Sequence, residues 1–546
     1  MSGRSRGVLL AAVRAIELTV DGVARNAGQA LAFEENRRLA ARTLDGHWGH
    51  LSNVWHKIIR LDFALACILV VAAALRFHAL GSESLWLDEA FSVQMAHSSL
   101  STIVDETSRD VHPPLYYVAL KGWVRLTGLS EAGARSMSVV LSLLAIVAVY
   151  RLGSLLFSRK TGLLAAFFAA VSPFQIEFSQ EARMYALLAF LSVLSLFFFV
   201  RLLTANARSR WWLLPAYVVS TALMLYTQAY STFIIAAEVL VMATLVPGST
   251  AASRQALKLC AFGLGLALIL FLPWLPTEMA QVYQVQRGFW IPDGSPMSLP
   301  HTVELYAGSA PLAWILSLFA AAGVVTAVVK PAGAAPRRVA VPVALFWCLC
   351  PILLPFVISM VSSPIFMSKY TIAGSLAFSV LAAEGVVSLF GRGGVIAAMI
   401  VAGALTWTPL DDYYGRTRKV KWRETIAALD RAARSQDLVV LNQSFSDIPF
   451  RYYSHRDDLV IVPFLKDVPV EDVTTPTIDA LLSLAAKGHE RVWVVLSNPD
   501  RLAPLIVRHF EQRYATSSHV VEWGLEIYLF VRDPGATRSE RVLPAS

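Results

Sequence analysis

Apolar stretches long enough to cross a lipid bilayer recur along this chain from about residue 62 to about residue 410. Backbone polar groups cannot stay unpaired in hydrocarbon, so a chain of this kind can fold there only as a bundle of helices. The 546 residues are 56% hydrophobic and only 16% charged, which excludes an ordinary soluble enzyme. The sequence therefore predicts a polytopic α-helical membrane protein.

The basic residues between these stretches predict the number and direction of the spans. The segment 112–128 is apolar, but it contains Lys121 and Arg125, which are costly at bilayer depth. If this segment lies on the outer surface, the later basic loops all face the cytoplasm, as the positive-inside rule expects. We then predict about eleven spans with the C-terminus outside: 62–79, 136–156, 161–176, 182–203, 211–226, 230–246, 259–275, 311–329, 340–361, 370–389 and 393–409.

The chain on either side of the spans has a different character. Residues 1–61 carry nine Lys and Arg against five Asp and Glu and contain no membrane-length apolar run, which indicates a cytoplasmic, basic and amphipathic segment. We predict a transmembrane catalytic domain over 62–410, with an outer loop at 80–135. Residues 411–546 alternate strand-like and helical patterns, which predicts a small extracytoplasmic α/β domain. The strand-like runs are 438–441, 459–462, 492–496 and 525–531. The net charge of +8 belongs to the loops and does not indicate a nucleic-acid partner.

Unusual polar residues fall on the predicted outer side. Asp88 and Glu89 follow the first span, where they either form a functional pair or begin a surface helix with acids in its first turn. His112 precedes two prolines and either donates to a phosphate or sugar or serves as a helix cap. Gln228 lies in an outer mouth between two spans, flanked by tyrosines.

Two further motifs carry cations. In the sequence 179–185, Glu181 and Tyr185 are four residues apart and would share a helix face, while Arg183 projects elsewhere and needs an anionic partner. That partner is either Asp88 or Glu89 or a ligand phosphate. The competing interpretation is that Arg183 forms a purely structural ion pair. Lys369, next to Tyr370, either binds a phosphate or extends its ammonium group to the outer lipid headgroups.

These side chains together suit one kind of reaction. A carboxylate can accept a proton from an acceptor hydroxyl while cations neutralise a departing phosphate. These are the groups that glycosyl transfer from a sugar-phosphate lipid requires. A single base suits a single displacement, which inverts the anomeric centre. The sequence has no Ser-His-Asp pattern, HExxH motif or Walker motif.

The order of the motifs resembles the GT-C glycosyltransferases, and within them the bacterial relatives of protein O-mannosyltransferases and lipid A aminoarabinose transferases. The motifs are Trp-x-Asp-Glu at 86–89, His-Pro-Pro-Leu-Tyr-Tyr at 112–117, Ser-Gln-Glu-Ala-Arg-x-Tyr at 179–185, Pro-Trp-Leu-Pro at 273–276 and Lys-Tyr at 369–370. The resemblance implies a polyprenyl-phosphate-linked sugar donor, with Asp88 as catalytic base and Glu89 as its acidic neighbour. It places Arg183, Lys369 and Tyr370 at the donor phosphate, and makes His112, Glu181, Tyr185 and Gln228 further site candidates.

The resemblance also implies a multi-pass protein of a bacterial inner membrane that acts at the periplasmic face on an envelope lipid, glycan or protein. Gln228 and Lys369 depart from the residues that relatives often carry there, histidine and arginine, so a divalent metal stays open. A lipid-linked sugar flippase and a polysaccharide polymerase or ligase with a diphosphate-linked donor are the alternatives. The donor sugar and the acceptor are not specified by these residues.

Overall fold

The computed structural model describes residues 63–247, 249–287, 291–292, 295–329, 337–465, 474–498 and 501–532. The predicted N-terminal segment 1–61 lies outside the described residues. The chain divides into two compact units, 1–66 and 67–546, and the second unit contains the candidate site.

Helices make up the described chain from residue 63 to residue 415. In chain order they are α1 (Phe63–Phe77), α2 (Leu87–His97), α3 (Leu100–Arg109), α4 (Leu115–Thr127), α5 (Glu131–Leu156), α6 (Arg159–Val171), α7 (Pro173–Ser179), α8 (Tyr185–Thr204), α9 (Ala207–Leu225), α10 (Ser231–Leu245), α11 (Ala251–Phe271), α12 (Leu275–Gln286), α13 (Ser298–Ala307), α14 (Ala310–Val329), α15 (Arg337–Val361) and α16 (Ile372–Gly415). Several begin at a short polar residue: the side chains of Ser130, Ser158, Ser172 and Asn206 each accept a hydrogen bond from a backbone N–H of the first turn.

Eight of the eleven predicted spans overlap one helix each, the span at 161–176 overlaps the bent pair α6 and α7, and the spans at 370–389 and 393–409 both overlap α16. Six of the described helices are long and apolar enough to cross a membrane, or seven when that bent pair counts as one span. Helices α1 and α10 are apolar but shorter, and α16 is broken at Gly391, where φ is +61°. The protein is thus mostly helical with several candidate spans, and the number eleven stays a prediction.

The segment 112–128 forms the 13-residue helix α4, which is not among the candidate spans. Its lysine has a local role, because Lys121 Nζ donates to the carbonyl oxygens of Ala96 and Ser98, 3.4 and 2.6 Å away. These carbonyls lie at the C-terminal end of α2, where a cation complements the helix dipole. Lys121 therefore joins two helices of the predicted outer loop.

The C-terminal part of the chain contains a five-stranded sheet with helices on both faces. Its elements are α17 (Trp422–Ala432), β1 (Leu438–Asn442), α18 (Asp447–Tyr453), β2 (Val460–Pro463), α19 (Thr475–Ala485), β3 (Arg491–Ser497), α20 (Ala503–Glu511), β4 (Ala515–Glu522) and β5 (Leu525–Val531). The strand order is β2-β1-β3-β5-β4, with β1 parallel to β2 and β3, and β5 antiparallel to β3 and β4. We call residues 416–532 the C-terminal region.

Successive side chains of the central strands β1 and β3 point to opposite faces of the sheet, so this region has two hydrophobic cores. Val440 and Val494 face α19 and α20, whereas Val439 and Val495 face α17 and α18. The predicted strands at 438–441, 459–462, 492–496 and 525–531 match β1, β2, β3 and β5 within one residue at each end. Strand β4 and helix α18 were not predicted, and α16 ends at Gly415 instead of 409.

Candidate active site

The two adjacent acids Asp88 and Glu89 lie in the first turn of α2, where acidic side chains suit the positive end of the helix dipole. Their environments differ sharply. The Asp88 side chain is 30% exposed, whereas that of Glu89 is completely buried. One position is therefore open to a reactant and the other belongs to the protein interior.

Glu89 is held on all sides by hydrogen-bond donors. Arg135 from α5 grips both carboxylate oxygens, with its Nε 2.8 Å from Oε1 and its Nη2 2.7 Å from Oε2. The backbone N–H of Ala182 donates to Oε1 at 2.9 Å, and Lys419 Nζ donates to Oε2 at 3.0 Å. Burial alone would raise the pKa of Glu89, but these two cations hold it well below its usual range. Glu89 is an anchored anion.

Asp88 faces Arg183, whose Nη2 lies 3.6 Å from its Oδ2. The Arg183 Nη1 also donates to the Asp88 carbonyl oxygen at 3.4 Å and to the Tyr117 hydroxyl at 3.1 Å. Its Nε is buried and has no hydrogen-bond partner among the described residues. A buried guanidinium with an unused donor beside a half-open carboxylate is suited to receive an anion.

The N-terminal end of α8 and the short 3₁₀ helix at 368–371 bring a second cation to this site. Lys369 Nζ lies 5.7 Å from the ring centre of Trp86, 5.8 Å from that of Tyr185 and 5.5 Å from that of Tyr370. Such distances allow cation–π attraction. Trp86 lies two residues before Asp88 in the chain. Its contact with Lys369 therefore joins the 86–89 and 369–370 motifs, which are distant in sequence.

Glu181 lies in the turn between α7 and α8, since α8 begins only at Tyr185. The predicted helical spacing of Glu181 and Tyr185 was therefore wrong. Burial raises the pKa of Glu181 to about 7, and its Oε2 has no hydrogen-bond partner among the described residues. This carboxyl group can hold a proton near neutral pH.

A cavity of about 310 Å³ opens beside Tyr370, and we call it the first cavity. Its polar wall includes His112, Gln228, Glu278 and Gln281, and its apolar wall includes residues of α10, α12 and α15. Two polar atoms on this wall, His112 Nδ1 and Gln228 Oε1, are buried without a partner among the described residues. Burial and two nearby cations lower the pKa of His112, so the ring is neutral at physiological pH.

A second cavity, of about 590 Å³, lies between α7, α13 and the end of α16. Its lining is more polar and includes Glu177, His301, Glu304, Asp412 and Arg418. Arg418 is the neighbour of Lys419, which contacts Glu89. The second cavity thus adjoins the linker that contacts Glu89, whereas the first cavity adjoins Tyr370.

The structure brings Asp88, Arg183, Lys369, Tyr185 and Tyr370 together, and it places His112 and Gln228 in the adjoining first cavity. Sequence reasoning missed Arg135, Tyr117 and Lys419. An arginine at the start of a predicted span was the sequence signal for Arg135. Lys419 contacts residues more than 200 positions away and had no local signal. Among the described residues, no group of three or more His, Cys, Asp or Glu side chains is placed to hold a metal ion.

Comparison with known proteins confirms the resemblance seen in the motifs. Residues 111–276 match the family model described as dolichyl-phosphate-mannose-protein mannosyltransferase. The matched segment contains His112, Glu181 and Arg183 but neither Asp88 nor Lys369. No curated protein sequence matches the chain.

Solved structures show the same fold. ArnT from Cupriavidus metallidurans in the apo state is 15% identical, with a TM-score of 0.58, and the match covers 85% of this chain and 97% of that chain. The archaeal oligosaccharyltransferase AglB from Archaeoglobus fulgidus is 13% identical, with a TM-score of 0.53 over 92% of this chain and 75% of that chain. The arabinofuranosyltransferase AftD from Mycobacteria is 14% identical, with a TM-score of 0.52, and the match covers 87% of this chain and 40% of that chain. The chain has the GT-C fold.

Proposed function

We propose that this protein is an inverting glycosyltransferase that moves a sugar from a polyprenyl-phosphate-linked donor to a hydroxyl of an envelope lipid, glycan or protein. The observation that carries the proposal is the half-open Asp88 carboxylate paired with Arg183, whose buried Nε is unused among the described residues, near Lys369. We place the reaction at the periplasmic face of a bacterial inner membrane, where the loops that hold these residues are predicted to lie.

In this proposal, Asp88 is the general base. The acceptor oxygen attacks the anomeric carbon as Asp88 takes its proton, and the bond between that carbon and the phosphate oxygen breaks. Arg183 and Lys369, beside Tyr370, neutralise the departing phosphate. A bound donor phosphate would also draw Arg183 away from Asp88, which would leave that carboxylate free to accept the proton.

The two cavities suggest separate places for the two substrates. The first cavity combines an apolar wall with a few polar groups, including His112 and Gln228, which suits an isoprenoid phosphate and its sugar. The second cavity has a polar lining that suits an acceptor rich in hydroxyl groups. Neighbours of the same fold were solved with undecaprenyl phosphate, in ArnT, and with dolichol-phosphate, in AglB, which supports a lipid-phosphate donor.

A polymerase or ligase with a diphosphate-linked oligosaccharide donor is the second candidate, because AglB, an oligosaccharyltransferase, shares the fold. The donor distinguishes the two, since such an enzyme would not consume a monophosphate-linked monosaccharide. A flippase would move the donor lipid without forming a glycoside. A panel of both donor types therefore separates the three activities.

The test is a transfer assay on purified protein with polyprenyl-phosphate sugars and envelope extracts, with and without added divalent metal. We expect a new glycoside and released polyprenyl phosphate from the wild type. Replacing Asp88 with Asn keeps the size and polarity of the side chain but removes the base, so turnover should fall at least about 100-fold. Binding of undecaprenyl phosphate, measured separately, should stay within about threefold because Arg183 and Lys369 are intact.

The matched control is Asp105→Asn. Asp105 lies on α3, is 57% exposed and pairs with Arg109 on the same helix, so its replacement should leave turnover unchanged. Full turnover by Asp88→Asn would refute the base assignment. Donor lipid crossing the bilayer equally in both proteins, without a glycoside, would favour the flippase.

A further inference from the structure

The linker between α16 and α17 contacts the chain that leads into α2. The backbone N–H of Arg418 donates to Glu83 Oε1 at 2.6 Å. The next residue, Lys419, donates through Nζ to Glu89 Oε2 at 3.0 Å and to the Gln180 carbonyl oxygen at 3.3 Å. One side chain of the C-terminal region therefore joins the first turn of α2 to the turn between α7 and α8, which contains Arg183.

Helices α17 and α18 hold the same chain from a second direction. Arg423 Nη2 lies 3.2 Å from each of the carbonyl oxygens of Gly81 and Ser82. The Tyr453 hydroxyl accepts the backbone N–H of Leu85 at 2.6 Å and donates to Glu131 at 3.0 Å. These contacts fix residues 81–85 immediately before the turn that carries Asp88.

We propose that the C-terminal region is a working part of the catalytic centre, in which Lys419 and Tyr453 are positioning residues that fix the first turn of α2 and thereby the direction of the Asp88 carboxylate. This inference rests on the proposed function, and it gives that region a role beyond covering the helices. It also explains why a lysine that belongs to the C-terminal linker is 13% exposed and paired with a completely buried acid.

The charges make this arrangement specific. A buried carboxylate is stable as an anion only when its oxygens are fully hydrogen-bonded. Glu89 Oε2 receives one bond from Arg135 and one from Lys419. Without Lys419 the bidentate bond to Arg135 remains, so the protein still folds, but α2 is held by one cation instead of two. The residue beside Glu89 is Asp88, so a small rotation of this turn moves the proposed base.

The test uses the full chain and begins with Lys419→Met, which keeps the length of the side chain and removes its charge. We expect kcat to fall about 10- to 100-fold, as misplacement by about 1 Å can produce, with binding of undecaprenyl phosphate unchanged. Lys419→Arg should restore most of the rate. The control is Lys421→Met in the same linker: Lys421 pairs with Glu522 on a half-exposed surface, and its loss should leave kcat unchanged.

A second measurement does not depend on transfer. Backbone hydrogen exchange of residues 83–90 should accelerate in Lys419→Met and in Tyr453→Phe, and stay as in the wild type in Lys421→Met. If the wild type transfers no sugar while exchange changes as expected, the proposed function fails and the positioning contact stands. Wild-type exchange and wild-type kcat in Lys419→Met would overturn the inference.

Discussion

At the scale of single residues, the site is built from side chains whose hydrogen-bonding capacity is either full or conspicuously unused. Glu89 is saturated by Arg135, Lys419 and a backbone N–H. Arg183 Nε and Gln228 Oε1 are buried and have no partner among the described residues. An unpaired buried polar atom costs stability. Gln228 Oε1 lies in the wall of the first cavity, so we expect a ligand to supply its missing hydrogen bond.

This contrast predicts opposite effects for two buried glutamines. Gln228→Leu removes an unpaired group, so we expect unchanged or higher thermal stability. We also expect kcat/KM to fall about 2- to 10-fold, because one neutral hydrogen bond to the donor is lost. Gln175 instead donates to Ser375 Oγ at 2.7 Å. Gln175→Leu should lower stability by about 1–3 kcal/mol with little effect on kcat/KM. Thermal unfolding in detergent and initial rates check both, and the reverse pattern would show that Gln228 is structural.

How far the site could be predicted differs from residue to residue. The 86–89, 179–185 and 369–370 motifs were identified because their polar residues stand out at the ends of apolar runs. Their mutual contacts follow from how the helices pack, which hydropathy does not encode. Arg135 and Lys419 pair with Glu89 across 46 and 330 residues, so no local pattern could have joined them.

At the scale of helices and strands, apolar length predicted the positions of the long helices well, because long uniform apolar runs mark segments that can be buried in hydrocarbon. Boundaries and short elements were harder. Helix α18 has only seven residues, and β4 is exposed along nearly its whole length, so neither has a clear hydrophobic period. The turn at Glu181 was missed because its sequence is compatible with a continuous helix.

Close packing between α14 and α16 depends on two glycines that face each other. A Cβ at Gly385 would lie 1.9 Å from the Phe319 carbonyl oxygen, and one at Gly323 would lie 2.3 Å from that of Leu381. Small residues allow this approach of two helix backbones. We expect Gly385→Ala to lower the free energy of unfolding by about 1–3 kcal/mol through overpacking.

The control for this pair is Gly265 in α11, where an added Cβ would meet no atom within 4 Å. Gly265→Ala should be neutral or stabilising by about 0.5–1 kcal/mol, because alanine favours the helix. Thermal unfolding of the purified variants in one detergent measures both effects. Equal stability of Gly385→Ala and the wild type would show that the two helices can move apart freely.

At the scale of the whole molecule, the proposed function requires the 88–89 pair, the Lys369 motif and the C-terminal region to share one side of the membrane. Positive charges at the opposite helix ends, such as Lys160 at the start of α6, predict that this side is the outside. A single topology thus accounts for both the charge distribution and the assembly of the site, which is why an orientation measurement bears on both.

Orientation is tested by single cysteines at two exposed positions, Trp523 beyond β4 and Lys160 in α6. The four native cysteines lie in apolar helices, where a membrane-impermeant maleimide does not reach, and the unmodified protein measures any background. In intact spheroplasts we expect Trp523→Cys to be labelled at once and Lys160→Cys only after the membrane is permeabilised. Labelling of Lys160→Cys alone would invert the topology and place Asp88 in the cytoplasm, where a periplasmic transfer reaction is impossible.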